Sequence, residues 1–244
     1  MKNNFFNKSL ENIKLKPFSN SEVTSQILYG EKFIILSRKK KWIKIKTAYD
    51  NYSGYIKNNK FLKNFEPTNK IYRIKSKIFK KKGNKFLQTK KFLYFGSGIS
   101  IINKEQKFLE FEKNRWIKKE DTKKINHKEK NFAKVLKLFL NTKYLWGGKT
   151  SNGIDCSALI QIYFYYNRFF FPRDSKDQIK YCKKKLKIKM IKNNIIFWKG
   201  HVAYCLSKNK LIHAYGPRKK VVVMNIKKTI NKIFEDTKLK PIYI

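Results

Sequence analysis

The stretch that most restricts this chain is residues 144–161, YLWGGKTSNGIDCSALIQ. Gly147, Gly148 and Gly153 interrupt any regular element, so 147–154 is predicted to be a loop. Beyond it Ala158, Leu159, Ile162, Tyr163 and Tyr166 recur at helical spacing, which predicts a helix opening at or near Cys156. Asp155 stands where an N-cap or first-turn acid would stand. A cysteine at a helix N-terminus faces unpaired backbone N–H groups and the positive end of the helix dipole. Both favour the thiolate, which is the nucleophilic form. The segment therefore reads as a loop-to-helix junction that presents one activated cysteine.

Such a cysteine needs a base, and the chain has three histidines. His127 precedes a Lys/Glu-rich run and reads as part of a solvated linker. His201 opens GHVAYCL and His213 lies in LIHAYG, two short runs that read as strands joined by the turn-like SKNK. A hairpin would put both rings on one sheet, one facing the sulfur and the other orienting the first. The remaining cysteines, Cys182 and Cys205, have no metal-ligand spacing with Cys156. Neither a metal nor an organic cofactor is expected.

Five motifs follow one another in this order: Trp146-Gly147-Gly148, Asp155-Cys156-Ser157, Pro172-Arg173-Asp174-Ser175 with Gln178, Gly200-His201-Val202, and Ile212-His213-Ala214. Over residues 130–244 this pattern resembles the NlpC/P60 family of papain-like cysteine peptidases. The resemblance implies an α+β catalytic domain of N-terminal helices and an antiparallel sheet. It implies Cys156 as nucleophile, His201 as general base and His213 as the orienting third residue, with Trp146, Asp155 and Ser157 lining the groove. Two positions depart from the family pattern. Ala158 stands where glycine is usual, and Asn193-Asn194 replaces the usual Gly-Asp before IIFW. Neither removes a catalytic group.

Ahead of this domain, residues 18–66 read as short strands punctuated by turns, with clear alternation in Trp42-Ile43-Lys44-Ile45-Lys46. The Tyr-Gly-Glu step at 29–31, the tryptophan after a basic turn and the final Gly-Tyr-Ile resemble a bacterial SH3 (SH3b) domain. Residues 67–121 give a second, weaker version, with Glu66-Pro67-Thr68-Asn69 as the seam. The expected domains are thus two small all-β barrels, 1–66 and 67–121, and a catalytic domain, 122–244, entered through a polar linker at 121–130. Phe132, Val135, Leu136, Phe139 and Leu140 share one helical face leading into the Trp146 loop.

This architecture resembles the cytoplasmic γ-D-glutamyl-L-diamino acid endopeptidases of the dipeptidyl-peptidase VI type, which trim freed cell-wall (murein) peptides. The resemblance implies a groove closed at one end by the first SH3b domain, admitting a free N-terminal L-Ala. Asp174, with Ser175 beside it, would meet the α-ammonium. Glu31 and Tyr52 or Tyr55 would belong to the same amine pocket.

Composition leaves two further classes in view. Hydrophobic residues make up 41% and aromatics 16%, enough for a packed core rather than a disordered tail. The formal charge is +43, which raises the prospect of a nucleic-acid or anionic-membrane partner. Yet the cations are 53 lysines against six arginines, and the lysines run along the whole chain. Specific base and phosphate readers lean on the arginine fork, so drift in overall composition is the better reading and no specific nucleic acid is expected. The alternatives to the peptidase are a broader peptidoglycan endopeptidase or amidase on the same scaffold, and a basic non-enzymatic polyanion-binding module. The first twenty residues hold no apolar run of signal-peptide length, and no stretch approaches about 18 uninterrupted apolar residues. No membrane span and a cytoplasmic location are therefore expected.

Overall fold

The computed structural model describes residues 3–184 and 195–243, which form two compact units, Met1–Lys128 and Glu129–Ile244. The Asn193-Asn194 step lies outside the described residues.

The first unit is built on antiparallel strands. Asn4–Phe5, Lys32–Lys39, Trp42–Thr47, Ser53–Lys57, Leu10–Lys14 and Val23–Leu28 form one six-stranded sheet in that spatial order. The alternation at 42–47 behaves as period-two patterning requires: Ile43, Ile45 and Thr47 are buried and Trp42, Lys44 and Lys46 are only partly covered. The buried isoleucines join Phe6, Ile13, Ile27, Phe33 and Ile56 in one core. A second core gathers Ile71, Ile78, Leu93, Ile99, Leu109, Phe111 and Ile117 under a five-stranded and a three-stranded sheet.

Tyr29 belongs by sequence to the first sheet but packs into this second core. Its ring meets Phe111 edge-on at 5.5 Å, and its hydroxyl donates to Glu112 Oε1 at 2.5 Å. Gly30 follows with φ +76°, and a Cβ there would come within 2.1 Å of the Gly98 carbonyl oxygen. Both the backbone conformation and the close approach require glycine. The Tyr-Gly-Glu step thus clamps the two β layers of this unit together.

One expectation is corrected here. Residues 122–124, read from sequence as part of a polar linker, are a strand of the first unit. Thr122–Lys124 pairs antiparallel with Asn69–Ile71, Asp121 is buried and accepts from Ser76 and Arg73, and the His127 carbonyl accepts from buried Lys70 at 2.6 Å. An edge strand bonds through its backbone, so polar side chains do not prevent it.

Among the described residues the second unit has four α-helices: α1 (Phe132–Lys137), α2 (Cys156–Tyr166), α3 (Ser175–Lys184) and α4 (Ile226–Thr237). Its antiparallel sheet runs Lys220–Asn225, Lys210–Tyr215, His201–Cys205, Ile195–Trp198 and Ile242–Tyr243. Ten of the eleven residues of α2 are buried. A helix apolar all round is a central helix, and this one is wedged between α1 and the sheet. Phe132 of α1 stacks on Tyr163 of α2 at 4.2 Å and on Tyr204 of the sheet at 4.4 Å, tying the three together. The hydrophobic cluster of Ile196, Trp198, Ala203, Leu211 and Tyr215 is closed by Ile233 of α4. Among the described residues no helix is long and apolar enough to cross a membrane.

Candidate active site

The site starts from the N-cap of α2. Asp155 has extended backbone, and its Oδ1 accepts the Ala158 N–H at 2.8 Å, a regular N-cap. The same carboxylate also takes the Gly147 N–H at 3.0 Å, which fastens the glycine loop to the helix start. Gly148 cannot be larger, since a Cβ there would lie 2.4 Å from the Gly153 carbonyl oxygen. The small Ala158 fits its position, buried with its N–H engaged.

Arg173 completes the cluster. Its two terminal nitrogens reach Asp155 at 3.0 and 2.6 Å, and Nη1 also reaches Ser157 Oγ at 3.0 Å. Asp155 is 5% exposed and Arg173 3%. The pair is a buried bidentate salt bridge at the base of the site. Gln178 of α3 donates to both Ser157 O and Pro172 O at 2.9 Å, pinning the first turn of α2 to the Pro172–Ser175 segment.

The Cys156 sulfur lies 3.9 Å from Gly200 O and receives the backbone N–H groups of Val202 and Ser157. It therefore rests against the main chain on both sides of His201. His201 Nε2 is 2.9 Å from Nδ1 of His213, which is fully buried and stacked on Tyr215 at 4.6 Å. The structure thus places Cys156, Asp155 and Ser157 beside the strand that carries His201, whose ring pairs with that of His213. Trp146 stands in the adjoining loop with 59% of its surface exposed. Asp174 and Ser175 lie half-buried at the start of α3.

The electrostatics bear on where the thiol proton rests. Burial pushes the Cys156 thiol up to about 12, with the Asp155 charge adding to it and the two N–H groups and Arg173 opposing. Burial pulls His201 down to about 4, and burial together with the neighbouring His201 pulls His213 down to about 3. A helix end offers a thiolate only about 0.3–1 kcal/mol, which is too little against burial of this depth. Both directions favour the neutral thiol and the neutral imidazole over a preformed ion pair. Burial also raises Asp174, with Arg173 opposing.

A consequence for stability follows from the lowered histidines. Both are neutral in the fold, while the unfolded chain binds their protons below the ordinary value of 6.5. The unfolded state then holds more protons, so stability falls as pH drops from about 6.5 toward about 4. Denaturant midpoints measured at pH 7 and pH 5 are expected to show this loss, and His213→Gln is expected to flatten it.

Two residues near the sulfur carry no assignment from sequence reasoning. One is Arg173, and the other is Tyr144, whose phenol is raised by burial and then by its neighbours Cys156 and Asp155. In the other unit, Glu31 is buried and its Oε2 accepts the Leu28 N–H at 2.5 Å, closing a turn. Tyr52 packs against the first core with its hydroxyl 3.4 Å from Thr24 O, and Tyr55 pairs across the sheet with Lys44, whose ammonium is 6.0 Å from its ring. Among the described residues no three His, Cys, Asp or Glu side chains form a set that could hold a metal ion.

The region that holds Cys156 at the start of a buried helix, His201 on the facing strand and His213 beside it is the part of the chain that matches a peptidase family. Residues 141–236 match the NlpC/P60 family, and residues 16–61 match the bacterial dipeptidyl-peptidase SH3 domain. The chain is 24% identical over 233 residues to Dipeptidyl-peptidase 6 of Lysinibacillus sphaericus, covering 84% of each protein. It is 22% identical over 234 residues to the Gamma-D-glutamyl-L-lysine dipeptidyl-peptidase of Bacillus subtilis (strain 168), covering 85% of this chain and 77% of that one. The crystal structure of an NlpC/P60 family protein from Bacillus cereus ATCC 10987 shares the fold, with a TM-score of 0.73 at 16% identity over 92% of this chain and 94% of that one.

Proposed function

We propose that the protein hydrolyses the γ-D-glutamyl bond to the following diamino acid in murein peptides that begin with a free L-Ala. The observation that carries this reading is the Cys156 sulfur seated against the main chain on both sides of His201, with His201 paired to His213 at 2.9 Å. The names of the two relatives supply the substrate class.

His201 Nε2 faces His213, so Nδ1 is the nitrogen left for the thiol. His201 takes the thiol proton as the sulfur attacks the γ-carbonyl of D-Glu, which is general-base rather than preformed ion-pair activation. Backbone N–H groups at the start of α2, with the Tyr144 hydroxyl as a second donor, stabilise the oxyanion. The imidazolium then protonates the leaving amine of the diamino acid. Water, deprotonated by the same ring, releases L-Ala-γ-D-Glu from the thioester.

Asp174 is the acid we assign to the substrate's α-ammonium, with Ser175 beside it. Its raised affinity for a proton marks a carboxylate short of solvent, which an incoming cation would relieve. One charged hydrogen-bonded contact is worth about 1.5–3 kcal/mol. N-acetylating the L-Ala is therefore expected to lower kcat/KM at least tenfold, as read by mass spectrometry of a peptide set with and without free N-termini. Equal cleavage of the acetylated peptides would reject the amine contact and favour a broader endopeptidase while sparing the nucleophile.

A further inference from the structure

The catalytic sheet carries a sulfur that the chemistry above leaves unused. Met224 lies opposite Leu211, and His213 lies opposite Val222 on the same pair of strands. Residues two apart on a strand share a face, so Met224 stands diagonally from His213 on the side of the sheet that bears the ring. Its Sδ is 3.3 Å from His213 Nε2, while the other nitrogen of that ring is 2.9 Å from His201 Nε2. Thioether, imidazole and imidazole form one line that ends at His201 Nδ1.

A thioether has no proton to give. The Nε2 edge of His213 can bond it only as a donor. A neutral ring has one N–H, so placing it on Nε2 makes His213 Nδ1 an acceptor. His201 must then donate from Nε2, which leaves its Nδ1 with a bare lone pair. In the reverse order the His213 lone pair would face the sulfur lone pairs, and the His201 proton would sit on Nδ1, where it blocks acceptance from the thiol. Burial keeps both rings neutral, so a single proton order has to be chosen.

We propose that Met224 is a positioning residue whose thioether fixes the proton order of the His213–His201 pair, leaving His201 Nδ1 free to take the Cys156 proton. The value of this order for catalysis rests on the general-base reading of His201, whereas the order itself does not.

The test uses the full chain with Met224→Leu, which keeps an apolar side chain and removes the acceptor, and Met224→Gln, whose Oε1 can accept the same proton. In a Cys156→Ala background, nitrogen-15 spectra of the histidine rings are expected to show both His213 and His201 protonated on Nε2. With Met224→Leu added, both rings are expected to become tautomer mixtures. With Cys156 intact, Met224→Leu is expected to lower kcat about fivefold at unchanged KM, the scale of one neutral hydrogen bond, and Met224→Gln to restore it to within about twofold. Unchanged tautomers in Met224→Leu would overturn the proposal, as would a kcat loss that glutamine does not restore. The spectra need no turnover, so they separate this proposal from the base assignment: wild-type turnover in His201→Ala would reject the latter alone.

Discussion

Cys156→Ala is expected to abolish release of the diamino acid from L-Ala-γ-D-Glu-L-Lys and from its meso-diaminopimelate equivalent. Loss of a nucleophile that acts as a unit with its base costs on the order of ten-thousandfold or more in kcat. Residual hydrolysis would come from binding and oxyanion contacts alone. The fold should survive, because the Asp155 cap bonds to the Ala158 N–H and makes no use of the sulfur. The same variant separates the peptidase from a purely basic binding module. Affinity for nucleic acid conferred by the +43 charge should fall steeply with salt and be untouched by the substitution. Activity that persists in Cys156→Ala, measured by mass spectrometry of the products, would reject the nucleophile.

The second large effect is on stability. Arg173→Ala is expected to cost about 3–5 kcal/mol, because it strands the Asp155 carboxylate, 5% exposed, without its bidentate partner. That is a large share of the roughly 5–15 kcal/mol that holds a domain folded. Arg173→Lys should recover little, since a single ammonium cannot span both carboxylate oxygens and Ser157 Oγ. Asp155→Ala with Arg173→Ala should be less destabilising than the sum of the two, because neither charge is then left alone. Urea unfolding of the four forms measures this, and a loss below about 1 kcal/mol in Arg173→Ala would contradict it.

How far the site could be read in advance depends on how local its causes are. Asp155, Cys156 and the helix they open were legible because capping and helical spacing act within a few residues. His201 and His213 were legible because the chain has only two histidines in strand-like runs. The upward shift of the Cys156 thiol was not, because the helix end is a local cause whereas burial is set by the packing of the whole unit. The contact of Met224 with His213 depends on cross-strand register, which no local pattern carries. The strand Thr122–Lys124 was misread because an edge strand needs no apolar face. Arg173 did leave a signal. In a chain of 53 lysines an arginine is a rare choice, and Arg173 uses both terminal nitrogens on the Asp155 carboxylate, which a lysine could not do.

The most direct test of the account is to trap the intermediate. Enzyme mixed with L-Ala-γ-D-Glu-L-Lys, acid-quenched in the first turnover and digested, should yield the peptide containing Cys156 carrying an L-Ala-γ-D-Glu thioester. His201→Ala should suppress both the adduct and the release of lysine. Lysine released at the wild-type rate with no adduct on that peptide, or from a protein lacking the His201 ring, would contradict attack by this sulfur with this base.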